Sequence, residues 1–193
     1  MSLTVQEKRE ILKELLQEVR EELTKPVNIP VEICRDSVEL PEYARLGDSG
    51  MDIRSAIDAT IMPGQTLVIP TGLQMAIPQG YEIQVRPRSG VSLKTPLRVA
   101  NAPGTIDSGF RDEIGIIVSN NSSTEDLDKE EMPIYGVGEK GSKPGIYEIH
   151  KGDRIAQIVL AKVETINFEL VEPGKVKTIG VNRGGGFGHS GVK

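Results

Sequence analysis

From residue 27 onward, the sequence consists of short runs rich in Val, Ile and Thr, separated by turns that contain Gly and Pro. Turn sequences such as "MPGQ", "IPTG", "IPQG" and "HKGD" recur at intervals typical of sheet proteins. The clearest predicted strands are "TLVIP", "LQMAIP", "YEIQVRP", "EIGIIVSN", "RIAQIVLAKV" and "INFELVEP". Because no long helical period interrupts them, the pattern predicts an all-β barrel or sandwich with no second helix.

The segment before residue 27 has a different period. Apolar residues recur at helical spacing, Thr4 and Glu7 stand in the register of a capping box, and Pro26 marks the end of the pattern. The segment therefore predicts one amphipathic helix within an N-terminal extension, residues 1–26. Its apolar stripe should be buried against the domain or against a neighbouring subunit. The stripe consists of Ile11, Leu12, Leu15, Leu16, Val19 and Leu23.

Charge and cysteine content exclude several classes of protein. A net charge of -5 in 193 residues gives no broad basic surface for a nucleic acid polymer or an anionic membrane. Cys34 is the only cysteine, which excludes an internal disulfide and fits a reducing compartment. No apolar run reaches about 18 residues, so we expect neither a membrane span nor a signal peptide, and a cytoplasmic location.

Two segments do not fit the strand pattern. Residues 121–149 are first acidic and then rich in Gly and Pro, which favours a solvated insertion between two strands. Residues 183–193, "RGGGFGHSGVK", form a Gly-rich arm that is either disordered or folds over a ligand. The main β domain is accordingly predicted at 27–182, with the insertion inside it.

Five short segments contain residues suited to phosphate chemistry. Backbone amides of Gly-rich turns and the fork of an Arg guanidinium both bind phosphate oxygens. No segment has the spacing of a Walker loop or of a dinucleotide fingerprint. In chain order the five are "GDSGMDIRSA" (47–56), "RPRSGVSLK" (86–94), "NAPGTIDSGF" (101–110), "KGDRIAQ" (151–157) and the Gly-rich arm.

Asp107 stands out within the third segment. Asp is a poor strand former and is costly to desolvate, so its place between Ile106 and a Ser-Gly turn indicates either a turn role or a chemical role. Taken alone, Asn101 before Pro103 is a turn residue, and Asp153 with Arg154 is a surface ion pair of little energetic weight.

The order and spacing of the five segments together resemble the trimeric dUTP diphosphatase (dUTPase) family, over roughly residues 39–191. The resemblance implies a jelly-roll-like β-barrel and a homotrimer with active sites at subunit interfaces. It also implies that dUTP is hydrolysed to dUMP and pyrophosphate with Mg²⁺, which limits uracil incorporation into DNA. Asp107 would activate the water that attacks the α-phosphorus, a role that agrees with the need for a general base.

The resemblance also assigns the substrate contacts. Asn101 and the backbone of Gly104, Thr105 and Ile106 would bind uracil, and Phe110, where the family usually has Tyr, would pack on deoxyribose. Asp52 would lie in the outer shell of the metal, which is otherwise held through substrate phosphates. Phosphate contacts would come from Arg88, Ser89, Gly90 and Gln157, and the arm of another subunit would close with Arg183, Phe187, Gly188, His189 and Ser190.

Three departures and two alternatives remain beside this interpretation. Besides Phe110, Asp112 stands where the family usually has glycine, and "RGGGF" is one residue shorter than the usual arm motif.

The related dCTP deaminases, and bifunctional relatives, carry a glutamate on the strand after the hairpin. Here Ile117 holds that place, and only Glu113 lies near enough to substitute. A catalytically silent module that binds a protein partner is the other alternative.

Overall fold

A computed structural model of the chain describes residues 4–123, 125, 131–139, 143–182 and 184. The chain divides into two compact units, one up to Val163 and one from Glu164 onward. The first unit contains all the strands: β1 Val31–Ile33, β2 Met51–Arg54, β3 Ala59–Ile61, β4 Thr66–Pro70, β5 Leu73–Met75, β6 Tyr81–Pro87, β7 Leu97–Val99, β8 Gly104–Ile106, β9 Gly115–Asn120, β10 Ile134–Gly136, β11 Ile146–Ile149 and β12 Arg154–Lys162. Its helices are α1, Val5–Thr24, and α2, Ser89–Lys94.

The strands form four small sheets, in the orders β1-β5, β10-β11-β3, β2-β12-β6-β8 and β4-β9-β7. Pairing between described strands is antiparallel except between β10 and β11. The largest sheet is centred on β6 and β12, which pair over seven residues, from Tyr81 opposite Lys162 to Pro87 opposite Ala156. The prediction of an all-β fold with an N-terminal helix is therefore confirmed.

Branched aliphatic side chains fill the core. Along β9, Ile116 and Val118 are buried while Gly115, Ile117 and Ser119 are only half-buried, the two-residue alternation of a strand with one face on the core. β-Branched residues fit this arrangement because their stiff side chains pack well on a pleated surface. Fully buried members of the core include Ile53, Ile61, Ile69, Leu73, Leu97, Ile114, Ile116, Tyr147, Ile149 and Ile158.

Helix α1 begins with the predicted capping box. The Thr4 amide and hydroxyl donate to Oε2 of Glu7, at 2.7 and 2.8 Å, and the Glu7 amide donates to Oγ1 of Thr4 at 3.3 Å. The apolar stripe is not buried by the domain, because Leu12 and Leu16 remain 56% and 59% exposed. The stripe was predicted to be buried either by the domain or by a neighbouring subunit. For its described side chains, burial by the domain is ruled out. No described helix has the length and apolar content that a membrane span requires.

Two predictions about secondary structure were wrong. A second helix exists, α2, but its six residues are too few to produce a recognisable helical period. The predicted strand "INFELVEP" is irregular chain in the second unit, whose described part contains only a 3-10 turn at Lys175–Thr178. Ile166, Phe168 and Leu170 have the alternation of a strand, but all three side chains are exposed and no described strand pairs with them.

The insertion at 121–149 is also more structured than predicted. Its last residues form β11, which pairs with β3 and buries Tyr147 and Ile149 in the core. The Tyr147 hydroxyl donates to the Lys143 carbonyl at 2.9 Å, and its ring lies 5.6 Å from that of Tyr135. The solvated-insertion interpretation therefore fails for residues 146–149.

Asn120 anchors the insertion to the barrel. Its fully buried Nδ2 donates to the carbonyls of Ile61 and Gly145, at 2.9 and 2.8 Å, and its Oδ1 accepts from the amide and hydroxyl of Ser122. A buried amide with all of these partners is stabilising mainly because removing it would leave its partners unpaired. Asn120 thus links three segments of chain at one point.

We expect Asn120→Ala to lower the free energy of unfolding by about 2–4 kcal/mol, because the Ile61 carbonyl loses its side-chain donor and the Gly145 carbonyl keeps only the longer bond from the Ser122 hydroxyl. Urea denaturation of the two proteins would measure the difference. Asn121→Ala provides a matched control, since Asn121 is the next residue along the chain and is exposed. Equal effects of the two substitutions would contradict this account of Asn120.

Candidate active site

The sheet β2-β12-β6-β8 carries four of the five sequence segments. Its register places Asp52 of β2 opposite Gln157 of β12, and Gln157 opposite Arg86 of β6. Arg88 follows directly after β6, and β8 pairs with the other edge of β6. Segments separated by up to a hundred residues therefore meet on neighbouring strands.

Asp52 lies at the centre of a cluster of cationic and polar groups. Arg88 binds its carboxylate with both branches of the guanidinium, Nε to Oδ1 at 2.7 Å and Nη2 to Oδ2 at 2.9 Å. Arg154 Nη1 lies 3.4 Å from Oδ2, and Gln157 Nε2 donates to Oδ1 at 3.3 Å. We call Asp52, Arg88, Arg154 and Gln157 the Asp52 cluster. Two arginines beside one carboxylate give it a positive balance suited to anions.

The cluster keeps Asp52 ionised. Partial burial raises the pKa of this carboxyl, but the hydrogen bonds and charge of Arg88, together with Gln157 and Arg154, outweigh that effect and leave the pKa below its ordinary value. A cleft of about 350 Å³ adjoins the cluster, and its polar lining includes Arg86 and Gln157 together with the carboxylates of Glu42, Asp48 and Asp52. The donors that a phosphate oxygen could reach in this cleft therefore include those of Arg86 and Gln157.

Helix α2 holds the residues that follow Arg88. Its first two residues are Ser89, which is exposed, and Gly90, which is half-buried, so the Ser89 hydroxyl is available to a ligand. Val91 is buried, and the buried Thr95 hydroxyl donates to the Val91 carbonyl at 2.8 Å. These contacts fix the short helix, which could not persist on its own propensity.

The segment from Asn101 to Ile106 turns back along β6. A methyl group placed on Gly104 would lie 3.1 Å from Nδ2 of Asn101 and 3.3 Å from Cβ of Val85. A side chain at this position would displace Asn101 or Val85 by a few tenths of an ångström, so glycine favours the observed position of the Asn101 side chain over β8. The Ala102–Pro103 bond in the turn is cis. Thr105 and Asn101 are exposed, and a planar ligand edge could reach the Asn101 amide from solvent.

Asp107 begins the turn that follows β8. Its carbonyl accepts from the Phe110 amide at 3.0 Å, and Arg111 Nη1 donates to the carbonyls of Ser108 and Phe110. No described residue donates a hydrogen bond to the Asp107 carboxylate, which is exposed together with the nearby Phe110 ring. The turn role is thus carried by the backbone of Asp107 and not by its carboxylate.

The structure separates these residues into two groups within one chain. Val85 pairs with Gly104 and Ile83 with Ile106, so Asp107 lies beyond Ile106 at the level of Glu82. Six residues of extended chain separate Glu82 from Arg88, a distance of about 20 Å along the strand. Asp107 and the Asp52 cluster therefore lie at opposite ends of β6, too far apart to act on one phosphate group.

Sequence reasoning did not find the pairing of Asp52 with Arg88, because a contact across 36 positions leaves no signal in a single sequence. Arg154 of β12 also contacts Asp52 of β2, a contact that the sequence-based interpretation of Arg154 and Asp153 as a surface ion pair does not include. The predicted roles of Asp52, Arg88, Ser89, Gly90, Asn101, Gly104, Thr105, Ile106, Asp107, Phe110 and Gln157 remain predictions. Arg183, Phe187, Gly188, His189 and Ser190 lie outside the described residues.

A family model, relatives of similar sequence and solved structures all indicate the same family. The dUTPase family model matches residues 36–127. The deoxyuridine 5'-triphosphate nucleotidohydrolase of Desulfotalea psychrophila is 42% identical over 159 residues, which cover 81% of this chain and 90% of the relative. That of Chlamydia felis is 40% identical, with 81% and 93% covered.

Solved structures of phage dUTPases are similar as well. A mutant dUTPase of Staphylococcus bacteriophage 80alpha with dUpNHpp has a TM-score of 0.74 and 32% identity, covering 86% of this chain and all of its own. A mutant dUTPase from phage phi11 of S. aureus, described with a structural Mg(II) ion, has a TM-score of 0.68 and 29% identity, covering 77% and 99%. The chain belongs to the dUTPase family, and its fold is the jelly-roll-like barrel predicted from the resemblance.

We expect Asp52→Asn to lower the free energy of unfolding by about 1–3 kcal/mol at neutral pH, because Arg88 loses an ionised partner. The pKa of Asp52 is depressed in the folded protein, so its contribution is complete above the ordinary carboxyl pKa and is lost as pH falls through the folded value. Denaturant titrations should therefore show the two proteins converging below about pH 4.

The exposed carboxylate of Asp36 supplies the control, through Asp36→Asn. That substitution should change the free energy of unfolding by less than about 0.5 kcal/mol, both at neutral pH and below about pH 4. A wild-type and Asp52→Asn difference that did not depend on pH would contradict the ionic account of the cluster.

Proposed function

We propose that this protein hydrolyses dUTP to dUMP and pyrophosphate and so limits the incorporation of uracil into DNA. The observation that carries the proposal is the pair of complementary half-sites at the two ends of β6. One end bears an exposed carboxylate beside a hairpin with an accessible amide, and the other bears the Asp52 cluster with its cleft. Relatives at about 40% identity act on deoxyuridine 5'-triphosphate by name, and two similar solved structures contain dUpNHpp.

In this proposal Asp107 is the general base. Its exposed carboxylate takes a proton from the water that attacks the α-phosphorus, the P–O bond to the bridging oxygen breaks, and pyrophosphate leaves. The Asn101 amide and the β8 backbone read the edge of uracil, and the Phe110 ring packs against deoxyribose. Cytosine presents the opposite donor and acceptor at that edge, so dCTP would leave buried polar groups unpaired.

Arg88, Ser89, Gly90 and Gln157 bind the phosphate chain. For Arg88 this requires its guanidinium to be shared between Asp52 and a phosphate, since both branches now contact the carboxylate. Asp52 and the Arg154 carbonyl together hold the guanidinium, so its plane is fixed before a ligand arrives. Arg154 supplies further positive charge from the neighbouring strand.

The donor set also fits Mg²⁺ held through the substrate. Among the described residues, no group of three or more His, Cys, Asp or Glu side chains could hold a metal ion. Mg²⁺ keeps several waters and is commonly bound through substrate phosphates with one or two carboxylates, and there it would neutralise phosphate charge. Asp52 would stay in the outer shell, because its carboxylate already accepts from Arg88 and Gln157.

The separation of the half-sites within one chain supports a site shared between two copies of the chain. With Asp107 about 20 Å from Arg88 along β6, a complete site forms when the hairpin of one subunit meets the Asp52 cluster of another. A closed cyclic assembly satisfies every half-site, which supports the homotrimer. Exposed Ile166, Phe168 and Leu170 are further apolar surface for a neighbouring subunit to cover.

The alternative of dCTP deamination finds no support in the described residues. Ile117 is an apolar residue of β9 and cannot transfer a proton. Glu113 is held by Arg35 and by a backbone amide, and the hydrogen bond from Arg35 is the main reason that its pKa lies below the ordinary value. A carboxylate held in its ionised form and fully engaged is a poor general acid.

The direct test is to incubate the protein with Mg²⁺ and dUTP or dCTP and to identify the products by chromatography. We expect dUMP and pyrophosphate from dUTP and no change in dCTP.

Asp107→Asn should lower kcat by at least about 100-fold with a small change in nucleotide affinity, because it removes the base and keeps the shape of the side chain. Asp112→Asn, on an exposed residue of the same turn, is the matched control. Turnover of dCTP would favour the deaminase, and normal turnover by Asp107→Asn would refute its role as base.

Sites shared between subunits can be tested by complementation. Asp107→Asn lacks the base, and Gln157→Ala lacks a phosphate contact, so each homotrimer should be weakly active. If hairpin and cluster come from different subunits, unfolding and refolding an equimolar mixture should restore activity to about a quarter of wild type, since a quarter of the sites are then intact. Mixing without unfolding is the control. No recovery after verified subunit exchange would place both half-sites in one chain.

A further inference from the structure

The segment that carries Asp107 is fastened to the barrel at two points. One is the pairing of β8 with β6, which ends at Ile106. The other begins at Glu113 and Ile114, where the Ile114 amide donates to the Leu73 carbonyl at 2.9 Å and the Ile114 carbonyl accepts from Thr71. Between the two points, residues 107–112 have no strand pairing.

Glu113 holds the second point with three hydrogen bonds. Its Oε1 accepts from Nε of Arg35 at 2.6 Å and from the Gly72 amide at 2.7 Å, and its Oε2 accepts from Nη2 of Arg35 at 2.8 Å. A bidentate arginine contact fixes the plane of the carboxylate as well as its distance. We call Arg35, Gly72 and Glu113 the Glu113 clamp.

Close packing around Gly72 also holds the Glu113 clamp in place. Gly72 has a φ of +73°, and a methyl group there would lie 2.5 Å from Cγ2 of Val38. The Cys34 amide donates to the Gly72 carbonyl at 2.9 Å, so the segment of Arg35 and the turn of Gly72 are also joined through the backbone. Two segments far apart in the chain thus hold Glu113 from a fixed direction.

We propose that Glu113, held by Arg35 and the Gly72 amide, is a positioning residue that sets the orientation of Asp107 in the hydrolysis of the nucleotide. The inference rests on the proposed function, in which Asp107 is the base. Within the turn, the Asp107 carbonyl is bound by the Phe110 amide, and Arg111 binds the carbonyls of Ser108 and Phe110. These contacts make residues 107–111 one unit, so a shift at Glu113 is passed to Asp107.

An ion pair that merely stabilised the fold would behave differently. Its loss would lower the melting temperature and leave the turnover of the remaining folded protein unchanged. Loss of a positioning contact instead lowers kcat in folded protein, because a base displaced by a fraction of an ångström aligns the water poorly, while uracil and phosphate contacts made by other residues preserve KM.

The test compares Glu113→Gln, Arg35→Gln and the double variant in the full-length protein. Glu113→Gln keeps one oxygen that can accept from the Gly72 amide but loses the bidentate pair with Arg35. Arg35→Gln loses the same pair and keeps the bond from the Gly72 amide to Glu113. We expect kcat for dUTP to fall about 10- to 100-fold in Glu113→Gln with KM within about twofold. The kcat of the double variant should be no lower than that of Glu113→Gln, because the two substitutions remove the same interaction.

Hydrogen exchange supplies a readout that does not depend on activity. Amides of residues 107–114 should exchange faster in Glu113→Gln, while those of β9 and β12 keep the wild-type rate. Asp58→Asn is the matched control, because Asp58 also accepts a backbone amide, that of Lys151 at 2.8 Å, and faces His150. It should leave kcat and the exchange of residues 107–114 unchanged.

The outcomes separate this inference from the proposed function. If Glu113→Gln keeps kcat within twofold, or loses activity only in proportion to the unfolded fraction, Glu113 does not position Asp107. An inactive Asp107→Asn beside a fully active Glu113→Gln would overturn the inference alone. Absence of dUTP hydrolysis by the wild-type protein would overturn the proposed function, and the exchange of residues 107–114 would still show whether the clamp orders that segment. If Glu113→Gln does not fold, Arg35→Gln decides by the same measurements.

Discussion

The pairing of β6 with a strand on each edge is the constraint on which the rest of the site depends. β12 pairs with one edge over seven residues, and β8 pairs with the other over three. The first pairing places Gln157 between Asp52 and Arg86, and the second sets how far the hairpin of Asp107 runs along β6. A slip by one residue would turn every side chain of a strand to the opposite face, so the buried Ile83 and Val85 also fix the site.

Charged groups in this protein are held by paired contacts at the edges of the sheets. Asp52 and Glu113 are each bound by two nitrogens of an arginine, and Asp52 has two further donors where Glu113 has one. Partial burial disfavours both carboxylates, and their partners more than offset it, so both pKa values lie below the ordinary range. Asp107 differs from both because it is exposed and receives no hydrogen bond from a described residue.

The barrel holds its less regular segments by a few contacts. Asn120 ties the insertion to the barrel through two buried carbonyls. The Glu113 clamp ties the turn of Asp107 to Gly72 and Arg35, and Val91 anchors the short helix that begins with Ser89. The turn of Asp107 and the helix of Ser89 are free of strand pairing, which leaves their exposed polar groups available to a ligand.

The sequence by itself determined the class of fold, the N-terminal helix with its capping box, and the strands at 66–70 and 81–87, because period and turn chemistry are local properties. Motif order was enough to indicate the family. Only the tertiary structure decided that residues 166–173 do not form a strand, since a strand needs a partner as well as alternation. The same holds for β11, for the pairs Asp52–Arg88 and Arg35–Glu113, and for the distance from Asp107 to Arg88. These depend on which distant segments become neighbours in the sheets, and no local pattern of the sequence encodes that choice.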